Sequence, residues 1–106
     1  EQARSFLYIE DCIEATRRLM ESQVNTPINI GSEEMVTINQ LVKIVAENAN
    51  KKILVNHIDG PLGVRGRNSN NDLIRKELDW DYKYSLKDGI KITYDWISQQ
   101  ILNLNS

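Results

Sequence analysis

The residues with the most chemistry in them fall between Gly60 and Asn71, in the stretch GPLGVRGRNSNN. Its glycines, Gly60, Gly63 and Gly66, carry no Cβ, so the backbone can turn sharply and another molecule can approach it closely. Arg65 and Arg67 bring planar guanidinium forks that match the oxygens of a phosphate or carboxylate. A cationic, donor-rich loop in a chain of formal net charge −2 reads as a local anion site. The plainer reading is that these arginines pair with surface carboxylates, and composition leaves both open. Arg4, ahead of the first apolar segment, is ambiguous in the same way.

The spacing Gly60-x-x-Gly63-x-x-Gly66 imitates a dinucleotide-binding fingerprint, and Asp79 or Asp81 lies at a suggestive distance beyond it. The surrounding residues oppose that reading. Pro61 stiffens the turn, and the third glycine leads into Arg67, Asn68, Ser69 and Asn70 rather than an apolar helix. No complete catalytic set emerges either. The positions four after each tyrosine are Cys12, Leu86, Asp88 and Ser98, so there is no Tyr-x-x-x-Lys pair, and no serine sits in a nucleophile elbow. His57 is the one histidine and alternates with Ile53 and Val55, as a structural or edge residue would. Without a Cys/His cluster a zinc site is not expected. Cys12 sits among the apolar positions of a helix beside Asp11 and reads as a packed thiol.

These residues need a scaffold, and 106 residues suffice for one modest domain or a piece of a larger protein. Hydrophobic residues at 41% and charged residues at 26% fit a globular fold and argue against disorder. Thirteen basic against fifteen acidic residues provide no general field for gripping nucleic acid. The lone cysteine excludes an internal disulfide and fits a reducing cytoplasm. No apolar run approaches membrane-spanning length, so no membrane partner is expected. The chain opens at Glu1 and runs at once into a strand-like segment, which predicts a truncated start.

The pattern predicts an α/β arrangement, β-α-β-α-β-loop-α-α. Strands are expected at Ser5 to Ile9, Ile28 to Ile30 and Ile53 to Ile58. The first helix opens with Glu10 and Asp11, carries Ile9, Cys12, Ile13, Thr16, Leu19 and Met20 at helical spacing, and ends near Arg17 and Arg18. Thr37 with Gln40 has capping-box spacing, with Val36 and Leu41 at staple positions. Asn70 or Asn71 can cap a short helix that Trp80 closes against the core. Ser85, followed by Asp88, starts the last helix, whose face is Ile90, Tyr94, Ile97 and Ile101 with Trp96 beside it.

The stretches RSFLYIEDC from Arg4, INIGS from Ile28, and Leu78-Asp79-Trp80 followed by SLKDGI from Ser85 and Trp96-Ile97 together resemble the extended short-chain dehydrogenase/reductase family. These are NAD-dependent sugar-nucleotide epimerases and dehydratases. The loop from Gly60 to Asn71 and GSEEMV from Gly31 resemble those members that epimerise GDP-mannose at C3 and C5. The resemblance runs from Arg4 to about Ile101 and implies the C-terminal part of such an enzyme. Residues 1–31 would complete the NAD-binding domain, and residues 32–106 would form the substrate-binding domain. It implies that Arg4 and Arg67 hold the substrate diphosphate, with Arg65 and Asn68 as weaker candidates.

By the same resemblance, NAD, the Tyr-x-x-x-Lys pair and a cysteine–lysine acid/base pair belong to the part upstream. NAD would oxidise C4 of the sugar transiently while neighbouring carbons are epimerised. No catalytic residue is expected in this chain, and Cys12 does not match the catalytic motif. A GDP-sugar substrate, a homodimer when full length and a cytoplasmic location are implied. Related readings are a dTDP- or UDP-sugar dehydratase or 4-epimerase, a non-catalytic nucleotide- or anion-binding module, and a structural domain whose loop arginines contact protein. One departure is local: Asp79-Trp80-Asp81-Tyr82 stands where Leu-Gly-Trp-x-Pro is commoner, which questions the turn geometry there.

Overall fold

The computed structural model describes residues 2–60 and 66–105. Gly63 and Arg65 of the glycine–arginine loop lie outside the described residues. The elements run β1 (Ala3–Ser5), α1 (Ile9–Glu21), β2 (Met35–Thr37), α2 (Ile38–Asn48), α3 (Asp72–Leu78) and α4 (Leu86–Leu104). The architecture is α/β, with a small sheet and four helices among the described residues.

β1 pairs antiparallel with β2, Arg4 opposite Val36. On its other side Ala3 forms a parallel bridge with Gly66. The strand expected at Ser5 to Ile9 is therefore displaced: pairing ends at Ser5, and Tyr8 already sits at the N-cap of α1. The strands expected at Ile28 to Ile30 and Ile53 to Ile58 do not form among the described residues. Alternation alone makes no strand, because the backbone groups need a neighbouring strand to bond to. Ile28 and Ile30 do pack on the core while Asn29 is exposed, so their alternation survives without a ladder. Residues 51–60 are exposed throughout, Leu54 completely at 101%.

Where the signal is local, the helices start as the sequence predicts. Thr37 Oγ1 accepts from the Gln40 amide at 3.1 Å, and Gln40 Oε1 accepts from the Thr37 amide at 2.8 Å, completing the capping box. Ser85 Oγ accepts from the Asp88 amide at 3.2 Å. At α3 the two asparagines divide the work: Asn70 Oδ1 accepts from the Asp72 amide at 2.9 Å, while the Asn71 side chain turns inward.

The core is small. Ala15, Ile74 and Trp80 are buried together, with Leu7, Ile28, Ile30, Leu78 and Tyr82 packed around them. Trp80 closes α3 as expected. α1 is turned differently from its apolar pattern, because Asp11 and Ala15 are its buried residues while Ile9, Ile13 and Met20 face outward. Trp96, Ile97 and Ile101 of α4 are also exposed.

A buried carboxylate and an arginine make long-range ties. Asp11, 3% exposed, accepts from the amides of Lys83 and Tyr84, both at 3.0 Å. Arg18, in the last turn of α1, also caps α3, its Nη1 donating to the carbonyls of Leu78 (3.3 Å) and Asp79 (2.7 Å). Asp79 takes the left-handed conformation, φ 51° and ψ 35°, at the C-cap of α3. The turn thus keeps a conformation favoured by glycine even though its residue is Asp.

The chain exposes 8384 Å² at a mass of 12.2 kDa, where a closed monomer of that mass exposes about 6,000 Å². Its radius of gyration of 16.8 Å exceeds the roughly 13 Å expected for this length. The elements form a thin slab, 48 × 39 × 20 Å, with apolar side chains left on its outside.

Candidate anion-binding site

The bridge between Ala3 and Gly66 decides where the loop arginines go. The Arg67 amide donates to the Ala3 carbonyl at 3.3 Å, and Arg4 Nη1 donates to that same oxygen at 2.7 Å. Two arginines distant in sequence are thereby brought to one edge of the sheet. They line a cleft of about 460 Å³. One wall is Arg67, Asn68 and Ser69; another is Asn29, Ile30, Gly31 and Ser32; Arg4, Ser5 and Leu7 complete it. Three of the four residues singled out in the sequence, Arg4, Arg67 and Asn68, meet there, and Arg65 lies outside the described residues.

The electrostatics of the cleft follow from its lining side chains, which include no Asp or Glu among the described residues. Among the described residues Arg17, Arg18 and Arg75 all pair with carboxylates, whereas no ion pair involves Arg4 or Arg67. Arg67 is exposed and Arg4 half-buried. Glu33, next to Ser32 of the lining, is already occupied: it pairs with Arg75 and accepts from the Asn71 amide at 3.0 Å. The Arg75 guanidinium first, then that amide, hold the Glu33 carboxyl below the usual carboxylate range. Two guanidinium groups with no counter-ion among the described residues, amid serine and asparagine side chains, can grip an oxyanion by charge-assisted hydrogen bonds.

Other candidates fall elsewhere. His57 is exposed and on no strand. Cys12 is a half-buried free thiol on α1, away from the cleft lining. No cluster of metal-ligating side chains occurs among the described residues. The glycine spacing does not fit NAD: Gly66 runs alongside Ala3, and the next helix starts only at Asp72, so no helix N-terminus faces a pyrophosphate after the third glycine. The sequence reading missed Gly31, Ser32 and Ser69 as cleft residues. Their one signal was a pair of small residues following Ile28 to Ile30.

No protein-family profile matches the chain. The fold is shared with enzymes that process sugar nucleotides. It superposes on UDP-glucose 4-epimerase of Thermotoga maritima, solved with UDP-glucose, with a TM-score of 0.90 and 27% identity over 95% of this chain and 33% of that one. UDP-glucuronic acid 4-epimerase of Bacillus cereus, in complex with UDP-glucuronic acid and NAD, gives 0.83 and 28%, over 93% of this chain and 33% of that one. The chain is thus a homologue of the sugar-nucleotide epimerases and dehydratases of the extended short-chain dehydrogenase/reductase class.

Within that class its sequence relatives include the GDP-mannose 3,5-epimerases. It is 48% identical to the Arabidopsis thaliana protein over 100 residues, and 46% identical to a protein of Oryza sativa subsp. indica. Each match takes in 94% of this chain and 26% of the relative, so the chain spans about a quarter of the relatives' length.

Proposed function

We propose that this chain is the C-terminal, substrate-binding portion of an NAD-dependent sugar-nucleotide epimerase acting on GDP-mannose at C3 and C5. Arg4 and Arg67 hold the diphosphate, with Asn68 beside them and Arg65 on the same loop. Residues 1–31 complete the nucleotide-binding sheet and residues 32–106 form the substrate domain. The observation that carries this reading is the pair of arginines that, among the described residues, have no carboxylate partner and share a cleft lined by no acid. A diphosphate offers oxygens to both forks at once, so binding remote from the sugar would orient the ring for chemistry carried out by other residues. NAD would supply the redox chemistry from outside this chain, whose residues do not fit it.

The exposed apolar faces of α1 and α4 support the same reading. An excess of about 2,000 Å² over a closed monomer is the area that a further portion of polypeptide would cover.

Titration of the chain with GDP, GDP-mannose and inorganic pyrophosphate tests the site. Amide signals of Arg67 to Ser69 and Asn29 to Ser32 should shift. Arg67→Ala should weaken binding at least about tenfold, the scale of one lost charge-assisted contact. Unshifted amides, or unchanged affinity in the variant, would remove the diphosphate role.

A further inference from the structure

Asn71 is fully buried, at 0% exposure, yet its side chain does not cap the helix whose N-cap position it occupies. Asn70 does that local work through the Asp72 amide. The Asn71 amide instead reaches across the chain. Its Nδ2 donates to the Gly31 carbonyl at 2.7 Å, and its Oδ1 accepts from Ser69 Oγ at 2.5 Å. Gly31 belongs to one wall of the cleft and Ser69 to the wall that carries Arg67.

The two walls touch because residue 31 has no side chain. A Cβ built on Gly31 would lie 2.6 Å from Ser69 Cβ and 2.9 Å from Ser69 Oγ, inside any real contact distance. The glycine is needed for close approach, since no glycine among the described residues has a positive φ. The Arg67 segment is therefore tied down by the Arg67 amide on Ala3, the Asn71 side-chain latch on Gly31 and the Asn71 amide on Glu33. Without the latch the two backbone bonds at its ends remain, and Ser69 between them loses its side-chain tie to the Gly31 wall.

We propose that Asn71 is a positioning residue for the cleft, tying Ser69 to Gly31 so that Arg4 and Arg67 stand at the spacing of a single diphosphate. This rests on the diphosphate reading above and adds a specific consequence. A ligand held by both arginines depends on their spacing, because the second contact gains from being intramolecular; a ligand held by one arginine does not. The latch should therefore set the preference for pyrophosphate over inorganic phosphate, rather than anion affinity in general.

The test is calorimetric titration of the wild-type chain, Asn71→Ala and Gly31→Ala with pyrophosphate and with phosphate, at a temperature where thermal unfolding shows each to be folded. The wild type should prefer pyrophosphate. Asn71→Ala should lose about tenfold in pyrophosphate affinity while phosphate affinity changes less than about threefold. If Asn71→Ala fails to fold, Gly31→Ala carries the test: it wedges the walls apart with Asn71 intact and should show the same loss. A merely structural role lowers the melting temperature and leaves the ratio alone. An unaltered ratio in a folded variant, with wild-type binding intact, overturns the latch and spares the diphosphate reading. Absence of wild-type pyrophosphate binding overturns both.

Discussion

Asp11 offers the sharpest test of how the fold is held. It is a carboxylate 3% exposed at the start of α1, and it accepts 3.0 Å bonds from two consecutive amides, Lys83 and Tyr84. Those amides precede α4, so one side chain pins the α3–α4 connection to α1. A hydrogen bond to a charged group contributes about 1.5–3 kcal/mol, and removing the acceptor orphans both donors. Lys83 is exposed, so water can reach part of this connection and relieve some of the cost. Asp11→Ala should therefore cost about 3 kcal/mol, a large share of the roughly 5–15 kcal/mol of a typical domain. With a urea dependence of about 1–3 kcal/mol per molar, the midpoint should fall by about 1–3 M.

Asp11→Asn is the discriminating variant. It keeps the shape but turns an NH2 toward one of two N–H donors, so it should lose more than half as much. Glu10→Ala is the control: Glu10 Oε2 accepts from the Tyr84 hydroxyl in an exposed bond, and its loss should move stability by no more than about 0.5 kcal/mol. Urea denaturation followed by circular dichroism reads the midpoint, and hydrogen exchange at the Lys83 and Tyr84 amides reads the bonds. If Asp11→Asn matches the wild type, or if Glu10→Ala matches Asp11→Ala, the two-amide clamp is not what holds the connection.

Other outcomes follow from the same structure. Asp79→Gly should stabilise the chain by roughly 0.5–1 kcal/mol in thermal or urea unfolding, because the left-handed backbone at φ 51° suits glycine better than Asp. Thr37→Ala should cost about 1 kcal/mol through loss of the cap, measured in the same way. The Glu14 carboxyl is held down to about 2 from 4.5 by hydrogen bonds from Arg17, then Arg18. A depressed folded pKa gives a contribution present above about 4.5 and lost as pH falls toward 2, so Glu14→Gln should differ from wild type in urea midpoint above that window and converge with it at the acid end. Pyrophosphate binding to the arginine cleft should weaken steeply as salt rises from about 0.01 M to 1 M, where the screening length drops from about 30 to 3 Å; a salt-independent affinity would point away from Arg4 and Arg67.

Much of the site was legible early because its signal is chemical and short in range. Arg67 carries its signal in its residue type, Arg4 and Asn68 in the resemblance, and all three line the cleft. The caps at Thr37 and Ser85 were legible because donor and acceptor lie within three residues of one another. What residue type could not reveal was partnership. Arg67 and Arg75 are the same residue, yet Arg75 is taken up by Glu33 and Asp81 while Arg67 is left without an ion pair among the described residues. Asn70 and Asn71 looked equivalent as caps, and burial separated a surface cap from an inward latch.

By itself, then, the sequence determined the α/β class, the helix starts and the residues suited to an anion, all of which rest on side-chain chemistry or on bonds a few positions long. The tertiary structure alone decided which strands found a neighbour, which face of α1 turned inward, and which arginines, among the described residues, pair with carboxylates. Strand pairing and burial depend on contacts between residues far apart in the chain, such as Ala3 with Gly66 and Asp11 with Tyr84. Periodicity read along a single segment carries no information about the partner that segment will meet.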